Sequence, residues 1–278
     1  MEVNYLSGKT VLVTGAASGF GRLLAKDLAE LGANVVGTDV DVSALTETAA
    51  LVRSHGGRFE PVSADVRDPQ QMRDAVAVAV SEFGGLDVLI NNAGVMPLSF
   101  FADHESALAA WSAAFDVNVK GVLNGIAAVY DHMIERGRGH IVNISSTYGK
   151  AGTEGSAAYS ATKSAVDTIS ESLRVETQGR IKVTVVRPTG VKGTGLTRSI
   201  VNPQAVAGMI GHHGAAYAAK AEEAQRDPEG ELFDPESIRY WSLEPEYISH
   251  NIIHAINQPW GVCISDITIR ASGEDFIL

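Results

Sequence analysis

Short, almost unbroken apolar runs alternate along this chain with longer stretches whose apolar residues recur every three or four positions. The first run, Lys9–Thr14 (KTVLVT), reads as a strand; Phe20–Leu31 then carries helical periodicity and stops at Gly32. Asn34–Asp39 (NVVGTD) predicts a second strand, followed by a helix through Leu45 and Val52 that ends at Gly56–Gly57. Arg58–Ala64 predicts the third strand and Pro69–Phe83 the next helix, with a proline suited to its first turn. Leu86–Asn91 (LDVLIN) is the fourth strand. About Glu105–Glu135 reads as one long helical stretch ahead of strand five, His140–Ser145. A helix over about Ala158–Gln178 precedes strand six, Ile181–Arg187, and a helix after Pro245 precedes a last strand at about Ser265–Ile269.

The strands lack the polar alternation of a half-solvated sheet, so both of their faces are expected to be buried. Strands of that kind separated by helices predict a doubly wound α/β fold, a seven-stranded parallel sheet inside a three-layer α/β/α sandwich. From Pro188 to about Glu244 the regularity lapses into Gly, Pro and charge, with GHHG and RDPEGELFDPE. A stretch that long is expected to hold short helices, as a lid or substrate insertion at about 189–244 within one domain spanning 1–278.

The length of 278 residues and 45% hydrophobic content suit one large α/β domain. The net charge of −11 argues against nucleic acid and against an anionic membrane surface. The residues from Met1 to Thr10 carry no basic segment leading into an apolar core, and no run approaches about 18 apolar residues. A soluble, cytoplasmic protein is expected. The single cysteine, Cys263, excludes an internal disulfide and is expected to be a small buried residue near a strand.

Chemistry enters at the first turn, Thr14-Gly15-Ala16-Ala17-Ser18-Gly19-Phe20-Gly21, between a strand and a helix. Glycines there let the backbone approach a pyrophosphate, and the helix N-terminus supplies amide donors. About 20 residues on, strand two ends at Asp39, placed to bind a ribose 2′-hydroxyl and to repel a 2′-phosphate. With no Lys or Arg at Ser18 or Val40, NAD is preferred over NADP. Tyr159 and Lys163 stand four apart on a predicted helix, hence on one face. A phenol titrates near 10; a cation beside it and the helix start are expected to lower that, and reaching about 7 takes roughly 4 kcal/mol, within reach of a charge pair plus an oxidised nicotinamide in a dry site.

Thirteen residues before Tyr159, strand five runs into Ser145-Ser146 at the same sheet edge. With the TGAASGFG turn, Asn91-Asn92-Ala93-Gly94, Asn118 in DVNVKG, Ser146 in NISS and the Tyr159/Lys163 pair, the chain resembles the short-chain dehydrogenase/reductase family over essentially its whole length. The resemblance implies a Rossmann-like fold and a catalytic set. Tyr159 would be the general acid/base, Ser146 would hydrogen-bond the substrate oxygen, and Lys163 would hold the nicotinamide ribose. Asn118 would hold a water leading to solvent. It further implies that Gly15, Ser18, Gly19, Phe20, Gly21, Asp39, Asp65, Val66, Asn92, Ala93 and Gly94 line the cofactor site. Pro188, Thr189, Gly190 and Val191 would complete it, and the helices after strands four and five would pack in a homodimer or homotetramer.

Two departures stand out: Thr189 occupies the place of a family glycine, and Thr194 comes one position late. Phe20 replaces a small aliphatic residue, which the backbone contact tolerates. Met96, with Pro97 and Leu98, is expected to form an apolar substrate wall, and Tyr148 and Thr153 to face the substrate, a bulky hydrophobic alcohol or ketone. His250 and His254 have metal-like spacing but no third ligand, so no metal is expected; His212 and His213 read as loop residues. Use of NADP, an epimerase or dehydratase, and a non-enzymatic nucleotide sensor stay open as alternatives.

Overall fold

The computed structural model describes residues 3–278; the readings at Met1 and Glu2 lie outside them. In chain order the strands and helices are β1 (Thr10–Thr14), α1 (Gly19–Glu30), β2 (Asn34–Asp39), α2 (Val42–Ser54), β3 (Arg58–Ser63), α3 (Pro69–Phe83) and β4 (Val88–Asn91). There follow α4 (His104–Ala114), α5 (Gly121–Glu135), β5 (Gly139–Ile144), α6 (Ala157–Glu176) and β6 (Ile181–Pro188). The C-terminal part adds α7 (Val206–Ile210), α8 (Gly214–Arg226), α9 (Pro245–Ile256) and β7 (Asp266–Ile269).

Among the described residues the seven strands form one sheet in the order β3-β2-β1-β4-β5-β6-β7, every pair parallel. Each residue of β1, β4 and β5 is buried, including the polar His140 and Asn143, which find side-chain hydrogen-bond partners inside. Leu12, for example, lies in register with Val36 on one side and Leu89 on the other. The face carrying α1, α2 and α9 is filled by Leu24, Leu28, Leu45 and Ile252. The face carrying α3, α5 and α6 is filled by Met72, Val129, Met133 and Val166. Each such side chain contributes about 1.5–3 kcal/mol by leaving water. The chain steps outward from β1 in both directions, to β2 and to β4, so a crevice opens beyond the carboxyl ends of those two strands.

Two expectations need correction. The stretch over 105–135 is not one regular helix: a π turn, Phe115–Lys120, separates α4 from α5. A π turn hardly changes the apolar periodicity, which is why the pattern reads straight through it. Cys263 is exposed, not buried. Strand β7 begins only at Asp266, which leaves Cys263 in the loop ahead of it. The region 189–244 does hold short helices, α7 and α8 among them, as its length suggests.

Candidate active site

Gly15 turns the chain out of β1 with φ +69°, and a β-carbon on it would stand 2.9 Å from Ala93 Cα. Gly21, one turn into α1, packs on that turn so closely that a β-carbon would lie 2.0 Å from the Gly15 carbonyl oxygen. Helix and strand meet at backbone distance. Asn92 fixes the neighbouring loop: its Nδ2 donates to the carbonyl of Thr14 at 2.8 Å, and the backbone N–H groups of Asn92 and Ala93 both donate to Thr14 Oγ1. The glycine turn and the Asn92–Gly94 segment therefore form one rigid rim.

At the start of α1 the Ser18 side chain makes no capping hydrogen bond. By contrast, Asp41 caps α2 through Ala44 N, and Asp68 caps α3 through Gln70 N and Gln71 N. The first-turn amides of α1 thus keep their positive end without a side-chain acceptor, where Ser18, Gly19 and Phe20 line a cavity of about 510 Å3. This chemistry fits a pyrophosphate. Asp39 lines the same cavity; its Oδ2 accepts from Ala17 N and its Oδ1 from Asp41 N, each at 3.0 Å. Asp65 and Val66 form the adjoining wall, but the Asp65 carboxylate is already gripped by the Arg67 guanidinium, which holds it below the usual carboxylate range. An adenine contact by Asp65 requires Arg67 to turn aside.

At the other end, Ser146, Tyr159 and Lys163 line one wall and are all buried. Ser146 ends up there because β5 stops at Ile144; its Oγ then accepts from Tyr148 N at 3.2 Å. Tyr159 lies in the first turn of α6 and Lys163 one turn further, its Nζ 5.9 Å from the centroid of the tyrosine ring. Lys163 Nζ donates to the Ile144 carbonyl at 2.8 Å, tying α6 to the end of β5. A β-carbon on Gly94 would come 3.3 Å from Asn118 Oδ1 and 3.7 Å from Lys163 Nζ, so the missing side chain leaves open the space these two groups face.

Burial pushes the Tyr159 phenol up to about 12, with Ser146 the one side chain that offsets it, and pushes Lys163 down to about 8. The expectation of a phenol lowered by its lysine is therefore not met within the chain itself. Desolvation disfavours both charged forms and exceeds the benefit of proximity. Asn118 is buried in the π turn: its Oδ1 accepts from Val95 N at 2.9 Å, and its Nδ2 donates to Val95 O and Thr162 Oγ1. Both amide donors are spent on clamping the loop after β4 to α6. Asn118 and Gly21 do not line the cavity; each shapes it from behind.

Pro188, Thr189, Gly190 and Val191 line the cavity, and so does the displaced Thr194. Met96, Leu98 and Tyr148 line its apolar end, where burial raises the Tyr148 phenol and its hydroxyl donates to Met209 O. Thr153 does not reach the cavity; with Ser156 it forms a hydroxyl cluster at the start of α6. His250 and His254 are exposed on α9. Sequence reasoning missed Ile200, Val206, Met209 and Phe276, which complete the apolar wall from the insertion and the C-terminal tail. No local motif marks them.

Comparison with known proteins agrees with this geometry. Residues 9–205 match the family model for short chain dehydrogenases. A glycine betaine reductase of Emericella nidulans is 33% identical over 97% of this chain, which spans 19% of that protein's length. An uncharacterized oxidoreductase of Staphylococcus saprophyticus is 31% identical over 98% of this chain and 99% of its own. Among solved structures, serine dehydrogenase complexed with NADP+ superposes with TM-score 0.74 and 28% identity, covering 94% of each chain. A short chain dehydrogenase/reductase from Burkholderia phymatum in complex with NAD has the same score and identity, over 96% of this chain and 90% of that one. The chain belongs to the short-chain dehydrogenase/reductase family, a family of nucleotide-dependent oxidoreductases.

Proposed function

We propose that this protein is an NAD-dependent oxidoreductase that interconverts a secondary alcohol and a ketone, with a bulky hydrophobic substrate. The observation that carries the reading is the convergence of Ser146, Tyr159 and Lys163 on one cavity that also contains Asp39 and the uncapped start of α1. The glycine turn and α1 amides would hold the pyrophosphate, Asp39 the adenosine ribose, and Lys163 the nicotinamide ribose. Bound there, a nicotinamide would accept or return the hydride and, when oxidised, add positive charge to the site. Tyr159, protonated through neutral pH, gives its proton to a ketone oxygen as hydride reaches the carbon. In oxidation the phenol takes that proton back, which requires cationic neighbours to offset its burial. Lys163, mainly protonated at pH 7, is one such neighbour. Ser146 steadies the substrate oxygen by donating a hydrogen bond.

Asp39 favours NAD. For NADP there is one observation: Arg67 also lines the adenosine end of the cavity, although Asp65 holds its guanidinium. The rest of the proposal is a homo-oligomer acting in the cytoplasm, one domain whose 189–244 region serves as a lid. Exposed Phe101, Leu108, Phe115 and Leu123 on and around α4 and α5 support the oligomer. Among the described residues no helix is long and apolar enough to cross a membrane. The test is absorbance at the NADH wavelength with purified protein, NAD or NADP, and secondary alcohols and ketones of graded size. Turnover of bulky apolar alcohols with NAD is expected. No turnover across the panel, or best activity on small charged hydroxy acids, defeats the reading.

A further inference from the structure

The C-terminal tail is bound into the site by an unusual set of contacts. Thr189, standing where the family pattern has glycine, extends the β6–β7 pairing through its N–H to Ile269 O at 3.2 Å. Its hydroxyl also bonds the carboxylate of Glu274, whose other oxygen accepts from Arg270 Nε at 2.6 Å. Arg270 Nη2 donates in turn to Phe276 O at 3.1 Å. Asp275, between Glu274 and Phe276, is held by Lys220 of α8 at 2.8 Å and by the Trp241 indole N–H at 2.9 Å. Ile277 N donates to Met209 O, the carbonyl that also receives the Tyr148 hydroxyl.

These bonds place the Phe276 ring against Gly190, where a β-carbon would come 2.1 Å from the ring, and edge-on to Tyr148 at 6.4 Å between centroids. Phe276 lines the cavity there, beside the residues that carry the chemistry. A carboxylate that is 5% exposed and shared between Thr189 and Arg270 is costly to bury unless its position serves the fold around it.

We propose that Phe276 is the residue that sets the size of substrate this site admits, and that Glu274 is the positioning residue that fixes it through Thr189. The inference rests on the alcohol/ketone reading and deepens it: the tail is the wall against the larger substituent of the substrate, and that substituent is an apolar ring. Trimming the wall admits a wider ring.

The test compares wild type, Phe276→Ala, Phe276→Leu and Glu274→Gln, each melted to verify folding. Dissociation constants for cyclohexanol and for 1-(2-naphthyl)ethanol are measured by calorimetry in the presence of NADH, with which an alcohol cannot react, and kcat/KM is measured with NAD for the same alcohols. Phe276→Ala is expected to shift the binding ratio toward the naphthyl alcohol by about tenfold, the scale of one hydrophobic pocket contact. Phe276→Leu, which keeps more volume, shifts it less, and Glu274→Gln shifts it the same way by a smaller factor. NAD affinity is titrated separately, because Phe276 and Glu274 also touch Gly190 and Thr189 of the cofactor loop, and any change in it applies equally to both alcohols. An unchanged ratio, an equal change for both alcohols, a shift toward cyclohexanol, or no binding of either alcohol by wild type overturns the inference. If the binding ratio shifts while no alcohol is turned over, the wall stands and the reading of the reaction fails.

Discussion

The Asp39 carboxylate accepts the backbone N–H of Ala17 at 3.0 Å, so the acid at the end of β2 is locked across the glycine turn at the end of β1. A second bond, from Asp41 N, holds its other oxygen. Under the proposed function, a negative charge fixed at that edge would face the adenosine ribose. Asp39→Asn retains the acceptor for Ala17 and removes the charge. It is expected to raise the affinity for NADP about tenfold or more, the effect of relieving one like-charge contact, and to leave NAD affinity lower or unchanged. Cofactor titrations followed by fluorescence check this, and a constant NAD/NADP ratio would show that Asp39 does not discriminate.

Tyr159 is buried and lines the cavity, and under the proposed function its phenol is the proton donor to the substrate oxygen. Tyr159→Phe keeps the ring and its packing but removes the proton. Turnover should fall by about 10²–10⁴, the usual contribution of a positioned acid/base, with NAD binding intact. A nucleotide sensor without catalysis would show no such loss, because there would be no turnover to lose.

How much of this was legible beforehand depends on the range of the contact. The Tyr159/Lys163 spacing, the glycine turn and Asp39 are local signals, and the fold brings them to one cavity. The alternation of strand and helix likewise specified the parallel sheet, because both faces of each central strand are apolar. The π turn at Asn118 was not legible, since inserting one residue in a helical turn barely disturbs periodicity. Phe276 was not legible either: it meets Gly190 across 86 positions of chain, and a lone phenylalanine near a terminus has no pattern. The direction of the Tyr159 shift in the chain by itself was not legible for another reason. Spacing reveals the nearby cation but not the depth of burial, and burial dominates here.

Asn118 clamps Val95 on both its N–H and its carbonyl and also reaches Thr162 Oγ1. Asn118→Leu leaves the two half-buried backbone groups of Val95 without those partners, at about 1 kcal/mol each. The variant should unfold at lower urea than wild type. Its kcat and its NAD affinity should both fall, because the displaced loop continues from the Asn92–Gly94 segment that is bonded to the glycine turn.

Lys163 is held near 8 by burial, against 10.5 for a free lysine. Between those values the unfolded chain carries a proton that the folded chain has released, so stability rises with pH through the window from about 8 to 10.5. Across it the gain amounts to about 3 kcal/mol. In Lys163→Met that gain disappears while all other titrations remain. Urea midpoints at pH 7 and pH 10 should therefore diverge between the two proteins, wild type moving upward relative to the variant. Parallel midpoints would mean that the ammonium is solvated in the folded state.

His140 gives a slope of the same sign on the acid side. It is buried in β5, and its Nε2 lies 2.8 Å from Thr184 Oγ1. The Thr184 hydroxyl spends its own proton on Ile264 O at 2.7 Å, so it can only accept from the imidazole, which fixes the Nε2–H tautomer. Burial first, and the Lys182 charge second, lower the ring to about 3, against 6.5 when free. As pH falls below 6.5 the unfolded chain gains a proton that the folded chain refuses. The stabilisation present above 6.5 is then lost progressively, by about 2 kcal/mol at pH 5. His140→Gln keeps a side-chain N–H for Thr184 and removes the titration. Urea unfolding at pH 7.5 and pH 5 should show wild type losing that much more stability than the variant, and equal losses would place the imidazole in contact with water.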